Sequence, residues 1–575
     1  MNAIARGLNM SRIPIAIALI IALSPAVLSQ VLTGTAQTTE STSRINQLFA
    51  PWDKPDSPGC ALGVIKDGKM IFKKGYGMAN LDHGIPISSS SVFNIASVSK
   101  QFTAMSIALL AQQGKLSLDD DIHKYLSDFP QYQSPITIRN LIHQTSGIRE
   151  YSHLMSATGI RFQDAADDEV YKILTRQKDL NFKPGDEYLY SNSYYFLLAQ
   201  IVKKASGKSL REFAQDNIFK PLGMVNTSFY DDGTDVVKNR ATGYSARKGG
   251  GFSADIVRSY HVGDGGLLTT VDDLLLWDQN YYANKLGGGA ELIQQLLTTG
   301  ILNSGAKSNY AFGVDLETYK GLKVVGHDGV YYGFNASVIR FPDQKFSAIC
   351  LCNLNSIASP RLTRQVAEIY LANEFKQSSG PDSIAALPEP KIVEVPEKEL
   401  AAVAGAYFDS ANNNFRRLYV KNGKLIYSRG TSESELAPLG NNRFLMLGTP
   451  DRVEITFKSP RPGARLQMLT VIVGVGTSTH ESVDPANYNA AQLAEFTGSY
   501  YSDEIEATYQ ITLQGDTLML RRKNVDGETP MLAQFADAFS VAGTGSIRFT
   551  RDGKNRVIGF LLTTGRVRNL RFAKT

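Results

Sequence analysis

Three short groups of residues in this chain have the types and spacing of an acyl-transfer site. The first is Ser97-Val98-Ser99-Lys100, inside FNIASVSKQFTAMSIALLAQQGKLSLDDD. A serine and a lysine three residues apart at the start of a helix share one face, a turn from each other. A serine hydroxyl is a poor nucleophile at neutral pH and needs an adjacent base. A lysine withdrawn from water can be that base, because desolvation lowers its pKa. Two other Ser-x-x-Lys matches, Ser245 to Lys248 and Ser304 to Lys307, open no apolar helix. Ser97 does: Phe93 and Ile95 precede it, Phe102, Met105 and Leu109 follow at helical spacing, and Gly114 closes the run as a C-terminal cap would.

The second group is Tyr190-Ser191-Asn192, in FKPGDEYLYSNSYYFLLAQIVKKASG. Pro184-Gly185 marks a turn before it, and Tyr194, Leu197, Leu198 and Ile201 form a helical stripe after it. A tyrosine next to a lysine is expected to ionise below its usual pKa of ~10 and act as a general base. Asn192 offers a donor and an acceptor to a substrate amide. The third group, His327-Asp328-Gly329, leads into the strand-like GVYYGFNASVIRF. Gly329 would let a substrate approach the backbone closely, and the Val330 N–H would face an oxyanion. Tyr282-x-Asn284 and His261-x-Gly263 repeat the last two patterns elsewhere. Each group is therefore cheap alone, and the reading rests on their order and flanks together.

With these flanks the chain resembles the serine β-lactamase and penicillin-binding-protein superfamily, on the branch shared by class C β-lactamases, D-aminopeptidases and family VIII esterases. That branch carries Ser-x-x-Lys, then Tyr-x-Asn, then Lys-x-Gly or His-x-Gly, matched here at Ser97/Lys100, Tyr190/Asn192 and His327/Gly329. PGCALGVIKDGKMIFKKGYG reads like the opening hairpin, with Asp67-Gly68 as its turn. ITIRNLIHQTSGI, PLGMVNTSF and GDGGLLTTVDDLLLW follow in the same order. The resemblance implies Ser97 as acyl-accepting nucleophile and Lys100 as the group that takes its proton. It implies Tyr190 as proton relay to the leaving group, Asn192 as orienter of substrate and Lys100, and the backbone N–H groups of Ser97 and Val330 as the oxyanion hole. His327 would form the third-motif wall. Lysine is usual there, and a neutral histidine is a weaker clamp for a substrate carboxylate. His143 in LIHQTSG matches a position expected to hold a loop by hydrogen bonds.

The implied fold class is α+β: an antiparallel sheet flanked by helices with a helical subdomain, over residues 45–375. Beyond it the texture changes. Residues 376–396 are rich in Pro, Ser and charge, as a linker should be. LAAVAGAYFDS from Leu400 and LAEFTGSYYSD from Leu493 then match, with Gly405/Gly498, Tyr407/Tyr500 and Leu425/Leu518 at the same offset. Alternating runs between Gly and Asn turns argue for two small antiparallel barrels or sandwiches, read as β-barrels at 397–478 and 490–575 joined by a linker at 479–489. Paired barrels of this kind resemble those of D-aminopeptidases, where a barrel loop narrows the cleft; a stabilising appendage is the alternative.

At 575 residues, 20% charged and 43% hydrophobic, the chain has the composition of a multidomain globular protein. Residues 1–29 carry Arg6, Arg12, no acids and an apolar run too short to span a membrane comfortably, followed by Val27 and Ser29 at the spacing of a cleavage site. They read as a signal peptide, with 30–44 as a flexible N-terminus, and place the mature protein in the periplasm or medium. The leader holds two of the 60 basic residues and none of the 55 acidic ones, so the remainder is near neutral and gives no argument for nucleic acid or membrane-surface partners. Cys60, Cys350 and Cys352 do not make a disulfide framework, and the last two are expected to face one way as small buried residues. The seven histidines never form His-x-His-x-Asp or His-Glu-x-x-His, and no Gly-x-Ser-x-Gly elbow is present, which disfavours zinc hydrolases and α/β-hydrolases. No metal or other cofactor is expected. The reading is an exported serine hydrolase acting on amide or ester bonds, D-aminopeptidase-like. A β-lactamase or cell-wall DD-peptidase is the near alternative, and a slowly deacylating receptor or binding scaffold the distant one.

Overall fold

Asp67 and Gly68 both have positive φ, 50° and 72°, the geometry that joins two twisted strands through a two-residue loop. Cys60–Lys66 and Lys69–Tyr76 accordingly pair antiparallel and form one edge of a six-stranded sheet. From the other edge the order is Asp315–Tyr319, Leu322–Tyr331, Phe334–Phe341, Phe346–Cys352, then the opening hairpin, every pair antiparallel. Phe334–Phe341 and Phe346–Cys352 are buried along their whole length. Helices Val271–Tyr282 and Ser359–Tyr370 pack against this sheet, so both strands read as continuous apolar runs rather than alternating ones. The computed structural model describes residues 40–575 apart from 162–165, 257–259, 376–389, 411–413, 430–431, 450–451 and 473–475. The signal-peptide reading of 1–29 and most of the 376–396 linker therefore lie outside the described residues.

Two helices position the catalytic candidates. Lys100–Gln112 continues a 3-10 turn at Ala96–Ser99, and Gly114 follows it at φ 69° as the left-handed residue past its end. Asn192–Ser206 packs across it, with Tyr194, Leu197, Leu198 and Ile201 fully buried as their spacing requires. Among the described residues no helix is long and apolar enough to cross a membrane. Residues 40–49 are helical, with Ser41, Ile45 and Phe49 buried at every fourth position. That stripe overturns the expectation of flexibility for residues 40–44, where serine-rich composition masked a helical period; 30–39 lie outside the described residues.

Cys60 and Cys352 are bonded to each other, and Cys350 is the free thiol, buried beside them. Cys350 and Cys352 face the same way and are buried, as expected, but Cys352 is half of a disulfide and not merely a small buried residue. Strands Cys60–Lys66 and Phe346–Cys352 are adjacent in the sheet although 292 residues separate the two sulfurs' positions, a register that spacing alone could not reveal.

The C-terminal repeats are two closed eight-stranded antiparallel barrels, running from Gly405–Asp409 to Gly476–Val483 and from Gly498–Ser502 to Val567–Lys574. The repeat extends to single hydrogen bonds. The Tyr407 hydroxyl donates to Val403 O at 2.8 Å and that of Tyr500 to Phe496 O at 2.7 Å, four residues back in each copy. Residues 479–483, read from sequence as linker, belong to the strand that closes the first barrel; its polar GTSTHESV composition hid it, although His480 points inward and is buried.

The second barrel is locked to the catalytic unit through Arg149 and Glu504, both fully buried. The Arg149 guanidinium donates to Glu504 Oε2 at 2.6 Å, Gln177 Oε1 at 3.0 Å, and the carbonyls of Arg568 and Asn569, each at 3.1 Å. Glu504 Oε2 also accepts the Lys178 N–H at 2.9 Å. Charge and hydrogen bonds are thus matched in a place where an unmatched ion would be costly.

Candidate active site

Ser97 sits on a tight turn whose preceding residue, Ala96, is held at φ 47°, a left-handed conformation unusual for a residue with a Cβ. The turn is fixed by its neighbours. Asn94 Oδ1 accepts the Ala96 N–H at 2.8 Å, and Ser99 Oγ donates to Ala96 O at 2.5 Å while accepting the Leu267 N–H at 3.1 Å. One turn on, the Lys100 ammonium is fully buried and spends its three donors on Ser97 Oγ at 3.0 Å, Asn192 Oδ1 at 2.8 Å and Asp264 O at 2.6 Å. Burial drives its pKa down to about 8, against the pull of the Asp264 and Glu150 carboxylates in the other direction. A lysine so poised is near the range in which it can accept the serine proton.

Tyr190 is hydrogen-bonded to Ser97, and its ring lies 5.0 Å from the Lys100 ammonium. The expectation that it ionises easily is reversed. Burial pushes its phenol well above the ordinary value, and neither the hydrogen bond with Ser97 nor the Arg566 cation offsets that. A neutral phenol can donate or relay a proton, whereas the lowered pKa of Lys100 brings that group nearer to accepting one. Asn192 holds the lysine: its amide oxygen accepts from Lys100, and its amide N–H donates to Glu150 Oε1 at 3.2 Å.

His327 is buried and neutral. Desolvation, then the nearby Lys100 cation, brings its pKa down to about 3. Its Nδ1–H donates to Asp328 O at 2.6 Å and its Nε2 accepts from the Tyr310 hydroxyl at 3.2 Å. It carries no charge at neutral pH, where a lysine would carry one. Gly329 has a different task from the one expected. A Cβ there would lie 2.3 Å from Ile95 O and 3.0 Å from Ser97 N, so the glycine admits the Ser97 turn, not a substrate, to the strand. Val330 follows at the rim, exposed, on the strand edge beside that turn. Gly329→Val should therefore displace the Ser97 turn, lower the unfolding midpoint and slow acylation of Ser97 at least tenfold; unchanged values in both would contradict the packing argument. His143 is buried against the Tyr310 carbonyl, 3.3 Å from its Nδ1, away from Ser97's hydrogen bonds.

Three further groups escaped the sequence reading. Glu150, fully buried, accepts from Ser191 Oγ at 2.7 Å, the Asn192 N–H at 2.5 Å and Ser152 Oγ at 2.8 Å. Burial pushes its carboxyl up, but Arg566 and these hydrogen bonds outweigh that and hold it below its ordinary value. Arg566 comes from the last hairpin turn of the second barrel. Its guanidinium donates to Tyr190 O at 2.9 Å, lies 5.3 Å from the Tyr190 ring and 4.0 Å from Glu150 Oε2. Asp264 supplies Lys100's third acceptor. A cavity of about 100 Å³ opens beside Ser97, bounded by Asn192, Asp264 and Val330. A larger one of about 1050 Å³, between the barrels, has none of the three motifs among its described lining residues.

Residues 45–371 match the family described as Beta-lactamase. A D-aminopeptidase of Brucella anthropi is 29% identical over 304 residues, covering 52% of this chain and 57% of its own length. The protein called flp of Staphylococcus aureus is 28% identical over 340 residues, covering 58% of this chain and 67% of its own. The chain thus spans little more than half the length of the D-aminopeptidase it matches. Among solved structures, an octameric penicillin-binding protein homologue from Pyrococcus abyssi superposes with a TM-score of 0.54 at 22% identity, covering 77% of this chain and 99% of that one. SurE superposes with a TM-score of 0.54 at 19% identity, covering 78% and 100%. These two likenesses concern the fold.

Proposed function

We propose, for a chain that belongs to the Beta-lactamase family, a serine hydrolase that works through an acyl-enzyme on Ser97. The observation that carries the reading is the Lys100 ammonium, stripped of water, brought down to about 8 and bonded to Ser97 Oγ. In its neutral form Lys100 takes the serine proton as Oγ bonds to the acyl carbon. The backbone N–H groups of Ser97 and Val330 receive the oxyanion. Tyr190, neutral and in contact with Ser97, passes the proton on to the leaving group, whose bond to the acyl carbon breaks. Water then attacks the ester along the same relay in reverse and restores Ser97.

The substrate class we assign is small amino-acyl amides and esters, of the D-aminopeptidase kind. The relatives named D-aminopeptidase and the uncharged His327 wall both support it. Residues 45–375 are the hydrolytic unit in this reading, and the second barrel, through Arg566, shapes its entrance. Export is supported by the Cys60–Cys352 disulfide, a bond that persists in oxidising compartments. Turnover of D- and L-amino-acid p-nitroanilides, short-chain p-nitrophenyl esters and a chromogenic cephalosporin tests the assignment. D-anilides and esters should be cleaved and the cephalosporin poorly. Fastest cleavage of the cephalosporin would move the protein to the β-lactamases, and cleavage of nothing in the panel would overturn the hydrolase.

A further inference from the structure

The cavity beside Ser97 contains a buried polar group that the acyl-transfer chemistry leaves unused. Tyr151, His261 and Asp264 line it together with Ser97 and Val330. The Tyr151 hydroxyl donates to Asp264 Oδ2 at 2.9 Å and lies 2.7 Å from His261 Nε2. The three residues are 1%, 6% and 7% exposed. Asp264 Oδ1 is buried and has no hydrogen-bond partner among the described residues.

A carboxylate oxygen in such a place normally finds a donor, because leaving it bare costs the full desolvation of the group. The neighbouring cations are committed elsewhere. All three Lys100 donors are spent, the third on Asp264's own backbone carbonyl. Arg566 is engaged with Tyr190 O and Glu150. Arg240, on the cavity's wall, stacks on the Tyr230 ring with its guanidinium carbon 4.3 Å from the centroid. The Asp264 turn is built for this position: Gly263, at φ 118°, lies so close to Tyr195 O that a Cβ would stand 2.5 Å from it, and Gly266 has φ 80°.

We propose that Asp264 recognises the free α-ammonium of an amino-acyl substrate, with Tyr151 and His261 fixing the carboxylate that receives it. The inference rests on the acyl-enzyme reading of Ser97 and names what that site selects. An ammonium seated in the cavity donates to Asp264 Oδ1 while its acyl carbon meets Ser97, and a cavity of about 100 Å³ leaves room for one small residue. An N-acylated substrate brings an amide where a cation is wanted and an extra group where there is no space.

The test compares D-alanine p-nitroanilide, its N-acetyl derivative and propionic p-nitroanilide on the full chain. Wild type should favour the free amine over the other two by about 10- to 100-fold in kcat/KM, the scale of a charged hydrogen bond. Asp264→Asn should bring that ratio close to one, and Tyr151→Phe should lower it partway. Because the ratio is taken within one enzyme, a general loss of activity cancels. Should Asp264→Asn be inactive on all three, protection of wild-type Ser97 from a fluorophosphonate decides: D-alanine amide should protect at a concentration at least tenfold below propionamide. Equal protection, a wild-type ratio near one, or a ratio unmoved in Asp264→Asn would overturn the ammonium assignment. Absence of fluorophosphonate labelling at Ser97 in wild type would instead remove the acyl-enzyme reading on which it stands.

Discussion

Replacing Lys100 with alanine is expected to slow acylation of Ser97 by about three to four orders of magnitude, the upper range for a general base. Neither of the other two titratable motif residues can take the proton as readily. Tyr190 is held neutral by burial, and His327, although also unprotonated, is engaged at Nε2 by Tyr310. The pH dependence gives a second readout. With Lys100 at about 8, its neutral fraction rises roughly tenfold per pH unit below that value and saturates above it. Wild-type acylation should follow that curve, and Lys100→Ala should be flat across it. The same lowering has a stability consequence. Between pH 8 and the ordinary lysine value of 10.5 the unfolded chain binds the proton that the folded chain releases. Native stability attributable to this group therefore rises with pH through that window. Stopped-flow acylation from pH 6 to 9 checks the first point; a variant with wild-type rates would mean that another group moves the proton.

Arg149→Ala should cost about 3–5 kcal/mol, because it leaves the fully buried Glu504 carboxylate without its counter-ion. Both side chains are fully buried, so solvent screening does not discount the estimate. The loss should reach the active site as well. Arg149 holds the carbonyls of Arg568 and Asn569, on the same hairpin that delivers Arg566 to Tyr190. Calorimetry should show a lower unfolding midpoint, and turnover should fall even where the catalytic unit remains folded. Removing both charges, as Arg149→Met with Glu504→Leu, should restore much of the stability, since the penalty comes from the unpaired ion. A midpoint unchanged in Arg149→Ala would show that the barrel docks through other contacts.

What the sequence made legible is what lies close together along it. Ser97 and Lys100 are one turn apart, and the helices that carry them and Asn192 announce themselves by apolar stripes at helical spacing. The barrel repeat was visible because duplicated residues such as Tyr407 and Tyr500 keep the same inward contact. Long-range pairings carried no such signal. Cys60 meets Cys352 only because the sheet's register brings the first and last of its strands side by side. Arg566 reaches Tyr190 from 376 residues away, and Glu150 has no periodic neighbour that marks it as the group beneath Asn192. His261-x-Gly263 matched the third motif in the wrong place, yet its histidine does line the cavity beside Ser97. The misreading of Tyr190 had another cause. The sequence shows a neighbouring cation but not the burial that opposes it, and only the folded site shows which is larger.

The central claim is that Ser97 is the acyl acceptor, and intact-mass spectrometry with peptide mapping tests it most directly. Wild-type protein treated with a fluorophosphonate should gain one mass increment, located on the peptide that contains Ser97. Ser97→Ala, folded by circular dichroism, should gain none. An increment on any other residue, or one that persists in Ser97→Ala, would contradict the account.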